Sequence, residues 1–363
     1  TYEAPSKLLE STQTGVADGM ARRGRRGGGF GWIVGLIIFL GLLWIGYWYA
    51  AQYTANRALA RIAAGPVHGR TVGCSGATLG GFPFRLDLHC DRGTYAEAND
   101  RIAASLGGLS ATAPLYWPGY AESIIDAPLL VNAPGLGLAL TTSWTSGTAN
   151  VTAGLGGLKG AGASFLNLDA ENADPTGRLP LKSVTADAAS GSIEPAGGGD
   201  YTVMGSTQAL QVVSATHGNL PVIDGSARVT LVGVGSSLGS DPARTLRDWL
   251  RAGGKANIER ARLAIGGAIL GANGTLSLSK EGRLNGSILL RFNSIDALAD
   301  LVETLRPGTR DKYSIAFAGL NAMSAPVQTP DGPARQTTLR LTDGLIWLGV
   351  IPLPIDPIPP IGL

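Results

Sequence analysis

Charge is scarce in this chain, and so are the side chains that carry most enzyme chemistry. Asp, Glu, Lys and Arg make up only 15% of 363 residues, with three histidines and two cysteines. His68, His89 and His217 fall in unrelated contexts, and none opens a His-Glu-x-x-His zinc signature. No Gly-x-Ser-x-Gly elbow offers a serine nucleophile, and Gly253, Gly254 and Lys255 lack the spacing and hydroxyl of a phosphate loop. Asp87 and Asp91 neighbour His89, but carboxylates without a defined pocket do not specify a base. The expectation is a protein that is not an enzyme and uses no metal or cofactor. The first fifty residues take five of the 29 basic and three of the 27 acidic residues, leaving 24 of each beyond. A body so balanced carries no general basic field, so no nucleic-acid partner is expected.

Long apolar runs are equally rare: there is one. Phe30 to Ala50 holds 21 residues without a charge. At about 1.5 Å per residue they match a hydrocarbon core roughly 30 Å thick. Arg22, Arg23, Arg25 and Arg26 precede the run. Trp32 sits near one end, and Trp44, Tyr47 and Trp48 crowd the other, where amphipathic rings prefer a membrane interface. The arginine bias predicts a cytoplasmic N-terminus and an exported body. A cleaved leader is the competing reading, but it calls for a shorter apolar core and small residues at its end. Ala58 and Ala60 form such a small pair, yet lie far from the run. A core helix of a soluble protein is disfavoured because a helix apolar all round needs a large core around it. The expected segments are a basic N-terminal stretch over 1–29, a transmembrane helix over 30–50 and a juxtamembrane helix over 51–65.

What the sequence has in abundance is glycine, 53 residues, about twice the usual share. Short alternating stretches separated by Gly, Pro and Asn predict strands over 84–90, 122–131, 136–145, 163–169, 201–204 and 226–234. The stretch from Ala261 to Phe292 reads as a meander with turns at Asn273-Gly274 and Glu281-Gly282. Its inner face is expected to carry Leu276, Leu278, Leu284, Ile288, Leu290 and Phe292. Asn273-Gly-Thr and Asn285-Gly-Ser match the glycosylation pattern but are read as turns. Helices are expected over 241–254, capped by Asp241 with Pro242 in the first turn, and over 294–308. The fold class is therefore mainly β with a few covering helices: an N-terminal transmembrane helix, then a curved, largely antiparallel sheet. The body is assigned to 66–350, with 236–255 a candidate joint between two subdomains. The proline-rich tail, 351–363, is read as a strand cap and loose end, with a docking segment as the alternative.

In an exported body Cys74 and Cys90 lie in an oxidising compartment, where an even pair favours a disulfide over a metal site or free thiols. Turn residues midway between them, around Phe82, predict a hairpin that brings them across adjacent strands.

The arginine-flanked span, "GGFPFRLDLHC" (80–90) and "APLYWPGYAESIIDAP" (113–128) together resemble the alphaproteobacterial family of unknown function numbered 2125. The resemblance implies an uncleaved N-terminal segment, a periplasmic β-rich body and the bacterial inner membrane as location; it supplies no catalytic residues. The Gly-Phe-Pro turn and "NGTLSLSKEGRLNGSILL" (273–290) more distantly resemble the exported AsmA-like proteins, which implies a link to envelope lipid handling. Two functions follow as expectations: an anchored envelope protein binding a lipid or another apolar ligand in its sheet, or a structural subunit with a protein partner in a larger inner-membrane complex.

Overall fold

The computed structural model describes residues 28–63, 70–97, 102–174, 181–216, 218–239, 241–305, 308, 310–311, 313–353 and 357–360. The chain divides into two units, Thr1–Tyr47 and Trp48–Leu363. Helix α1 covers Gly28–Ala63, so the stretches expected as a span and a juxtamembrane helix form one continuous helix. Trp32–Ala60 is long and apolar enough to cross a membrane.

The second unit is built on a curved antiparallel sheet. Its first strands are β1 (Arg70–Ser75), β2 (Thr78–Gly80), β3 (Arg85–Cys90), β4 (Arg92–Glu97), β5 (Ala103–Pro114), β6 (Tyr120–Ala133), β7 (Leu138–Ser143) and β8 (Ser146–Gly154). Long strands follow: β9 (Gly157–Asn172), β10 (Leu181–Gly197) and β11 (Asp200–Ser214), then β12 (Gly218–Asn219) and β13 (Ile223–Val232). After α2 (Pro242–Arg251) come β14 (Lys255–Ile265), β15 (Ala268–Leu278) and β16 (Leu284–Phe292). Helices α3 (Ile295–Leu305) and α4 (Ser314–Ala322) precede β17 (Ala325–Thr329), β18 (Gly332–Thr342), β19 (Leu345–Leu348) and β20 (Ile351–Pro352). From β5 onward each long strand pairs with the next, which makes the sheet an extended meander. Short strands lie in line where one partner is broken: β3 and β4 both pair β5, and β7 and β8 both pair β6. Among the described residues no ladder joins β1 or β2 to the C-terminal strands.

Every strand expected from alternation is present, but β10 escapes that reading although it is the longest. Its apolar phase switches midway: Val184, Ala186 and Ala188, then Ala189 and Ile193. The same switch occurs in β9 between Phe165 and Leu166. Irregularities lie in line across the sheet here: a register shift between Leu106 and Gly108, the break between β7 and β8, left-handed residues Asn167 and Ala209, and a shift between Thr207 and Leu210. Such bulges bend strands and raise local twist. On one side of this crease the buried residues are Ala170 and Ala186, which by register share the face opposite to Ala163 and Gly191.

Two expected turns are corrected. Asn273-Gly274 and Asn285-Gly286 lie inside β15 and β16; the chain reverses at Gly266–Gly267 and near Glu281–Gly282. Both glycines are nevertheless required, because their φ values of +157° and +142° suit no other residue. The expected inner face holds, with Leu270 opposite Phe292, Ala272 opposite Leu290, Gly274 opposite Ile288 and Leu278 opposite Leu284. Helix α2 forms as its caps require: the Asp241 carboxylate accepts from the Arg244 N–H at 3.1 Å. Trp249 donates to the Val232 carbonyl oxygen at 2.8 Å and straps α2 to the sheet. Strands β13 and β14, on either side of this stretch, pair directly with one register shift at Arg228–Val229, and α2 lies in the connection between them. In the tail, Ile358 N–H donates to the Gly344 carbonyl oxygen at 2.9 Å.

Candidate functional site

The site is an apolar trough in the sheet, and it is assembled by register. Ala111 pairs with Ser123, Ser123 with Ala149, Ala149 with Ala163 and Ala163 with Gly191. Gly191 pairs with Gly205, Gly205 with Ala227, Ala227 with Ala261 and Ala261 with Ala272. Directly paired residues share a face, so these small side chains form one row at right angles to the strands. At roughly 4.8 Å per strand the row runs on the order of 40 Å.

Two further rows, rich in large apolar side chains, flank that floor on the same face. Val151, Ala161, Ile193, Val203, Val229 and Ile258 pair in succession along one side. Phe165, Ala189, Thr207, Gly225, Leu263, Leu270 and Phe292 pair along the other. Beside Leu263 and Leu270 of the second row, over Gly205, Gly225, Ala227, Ala261 and Ala272, lies an open cavity of about 590 Å³. That is within the usual range for small-ligand sites.

Gly191 and Gly205 show that the space is not filled by the fold. Neither has a left-handed φ, and a Cβ on either would meet nothing nearer than a carbonyl oxygen at 3.9 and 3.8 Å. No backbone or packing constraint demands glycine there. At the C-terminal end the trough is closed. Beyond Leu290 the row reaches Thr337, which is buried and donates its hydroxyl to the Met323 carbonyl oxygen after α4. Arg335 clamps the same turn, donating to the Ser324 hydroxyl at 2.7 Å and to the Asn321 carbonyl oxygen at 2.8 Å.

Polar groups are moved to the opposite face. Arg262, beside the trough floor in sequence, points away and forms a two-pronged pair with Asp331 at 2.8 and 3.0 Å. This hydrogen bond raises the Arg262 pKa and holds the Asp331 carboxyl below its ordinary value. It fixes the β17–β18 turn over a second cavity of about 730 Å³ that also holds Arg260 and Arg291. His89 accepts or donates to Ser110 at 3.0 Å and lies 3.3 Å from Asp91 on the exposed face. His217 is outside the described residues. Among the described residues no cluster of His, Cys, Asp and Glu is arranged to hold a metal.

Cys74 and Cys90 form the expected disulfide, with Cα atoms 5.5 Å apart. The local geometry differs from a simple hairpin. The turn around Phe82 joins β2 to β3, while Cys74 belongs to β1, opposite Gly93 of β4. The bond therefore ties β1 to the end of β3 across the Asp91 bend. Of the anchor-flanking residues, Arg22, Arg23, Arg25 and Arg26 are outside the described residues. Trp32 is exposed, and Trp44 is half-buried, 5.7 Å from Tyr47. Trp48 is buried at 6% exposure and donates to the Arg85 carbonyl oxygen at 3.1 Å.

The family described as "Uncharacterized protein conserved in bacteria (DUF2125)" matches residues 47–358. The chain belongs to the DUF2125 family. The match begins one residue before Trp48, so it covers nearly all of the sheet-bearing unit. No curated protein matches the chain. The trough floor is not legible in the sequence, because its members lie one per strand and are unremarkable singly. The abundance of glycine and alanine was its only sequence signal.

Proposed function

We propose that this DUF2125 protein is an anchored envelope protein of the bacterial inner membrane whose periplasmic body holds the acyl part of a lipid, or a similarly elongated apolar ligand, in the trough. The observation that carries the reading is the open floor of small residues beside rows rich in large apolar side chains, with space for a side chain at Gly191 and Gly205 and a cavity over Gly205. Elongated apolar molecules fit such a channel by burying surface at about 25 cal/mol per Å², without directional bonds. The placement rests on the arginines before the span and on a disulfide, which persists in oxidising compartments. The AsmA-like resemblance of 273–290 supports lipid handling by analogy. In this reading the protein holds its ligand and has no catalytic role.

The test compares purified full-length protein with a Gly191→Leu/Gly205→Leu variant and a Thr148→Leu control on the opposite face, all from native membranes in mild detergent. Lipid bound per protein is measured by mass spectrometry. The wild type and control should retain lipid that the filled-trough variant loses, at unchanged melting temperature. Equal lipid in all three would sink the reading. Val350 and Ile351, exposed at the β19–β20 edge, favour the second reading, a structural subunit that joins a membrane complex. Partners recovered with wild type and lost on Ile351→Asp would support it.

A further inference from the structure

One end of the sheet carries a rim of aromatic and aliphatic turns. Strands β2–β3, β5–β6 and β8–β9 reverse there through Gly80–Phe84, Leu115–Gly119 and Ala153–Gly157, none of which contains a charged residue. The turns are tied side by side: Leu115 N–H donates to the Phe84 carbonyl oxygen at 2.9 Å, and Ala153 N–H to that of Gly119 at 2.6 Å. Their largest side chains face outward. Tyr116 is 72% exposed, Trp117 64% and Phe82 56%, and Leu155 is fully exposed. Soluble surfaces seldom expose a contiguous apolar patch of this kind without a partner.

Chain continuity identifies the partner. Trp48 lies two residues before the end of the apolar run at Ala50, and it belongs to the sheet-bearing unit. Its ring packs edge-on against Phe82 at 5.2 Å. The rim is therefore joined to the chain at the point where the span ends. Tyr and Trp favour the headgroup layer, where the ring is in an apolar zone and the polar atom in water. The loop that leads into charged α2 docks on the β8–β9 turn, with the Leu158 N–H donating to the Gly239 carbonyl oxygen at 3.0 Å, so Arg244, Arg247, Asp248 and Arg251 follow directly behind the uncharged turns.

We propose that this rim, centred on Tyr116, Trp117 and Leu155, is embedded in the surface of the same bilayer that the helix spans. The bilayer then holds the body by two attachments, a helix and a rim. The N-terminal strands of the sheet, where the small-residue row begins, lie against the leaflet. The inference rests on the span crossing the membrane and is independent of what the trough carries.

The experiment uses full-length protein reconstituted in phosphatidylethanolamine–phosphatidylglycerol vesicles that contain lipid with a nitroxide on its acyl chain. Because Cys74 and Cys90 are bonded to each other, single introduced cysteines take an NBD label selectively. The positions are Trp117→Cys, Leu155→Cys, Leu40→Cys in the span, and Lys182→Cys, exposed at the other end of the strands. Labels at 117 and 155 should be quenched at least threefold more than the label at 182, with blue-shifted emission. Quenching at 40 with 117 and 155 equal to 182 would overturn the rim while leaving the span intact. Absence of quenching at 40 would overturn the span and the rim with it. Two independent rim positions guard against a local folding defect at either one.

Discussion

At Gly274 the backbone of β15 runs with φ +157°, and a Cβ there would overlap the Ser287 carbonyl oxygen of the neighbouring strand. Gly274→Ala should therefore cost more than about 2 kcal/mol, read as a fall in denaturant midpoint. Tyr201 presents the opposite case. It is 1% exposed, its hydroxyl has no hydrogen-bond partner among the described residues, and burial raises its pKa. Deleting an unsatisfied buried group removes a desolvation cost, so Tyr201→Phe should be as stable as wild type or up to about 1 kcal/mol more so. Asp331 supplies a pH dependence. Its folded pKa is depressed by Arg262, so its contribution is present above the unfolded value, about 3.9, and is lost as pH falls through the lower folded value. The stability difference between wild type and Asp331→Asn should be present at neutral pH and shrink as pH falls below the unfolded value of about 3.9 in denaturant titrations. The sequence located the residues with local signals: Asp241 at its cap, Cys74 with Cys90, and the meander's inner leucines. It misplaced Asn273-Gly274 because a hairpin turn and a strand bulge both call for glycine.

Among the elements, β1 gains most from covalent help. It is six residues long at a sheet edge and pairs only with β4 among the described residues. The disulfide closes a loop of sequence separation 16, which by chain entropy contributes on the order of 3 kcal/mol. A Cys74→Ser/Cys90→Ser protein should lose about that much, and reductant should lower the wild type's melting temperature toward the variant's without affecting the variant. The long strands show why element boundaries were only partly legible. Strands β6, β11 and β13 announced themselves by period-two alternation over at least part of their length. Strand β10 did not, because the crease moves its buried set from one face to the other and erases any single phase. Helix α4 was likewise unread, since Ser314–Ala322 has no side-chain cap and little segregation of polar from apolar residues.

For the molecule as a whole, most apolar strand residues are half-buried rather than enclosed, and the fully buried set is small and scattered along the sheet. A sheet that leaves one apolar face open needs something to cover it, and the trough and the rim are two such places with different chemistry. Filling the trough by Gly205→Leu should leave the melting temperature within about 0.5 kcal/mol equivalent while reducing bound lipid, because the added side chain enters open space. What the sequence by itself determined was local or one-dimensional: a 21-residue apolar run, a period-two pattern, a cysteine pair and turn residues each fix their meaning within a few positions. The trough depended on the tertiary structure alone. Ala149, Gly191, Gly205 and Ala272 become one floor only when register aligns strands far apart in the chain, and register is set by pairing and bulges between strands, which no single strand's sequence encodes.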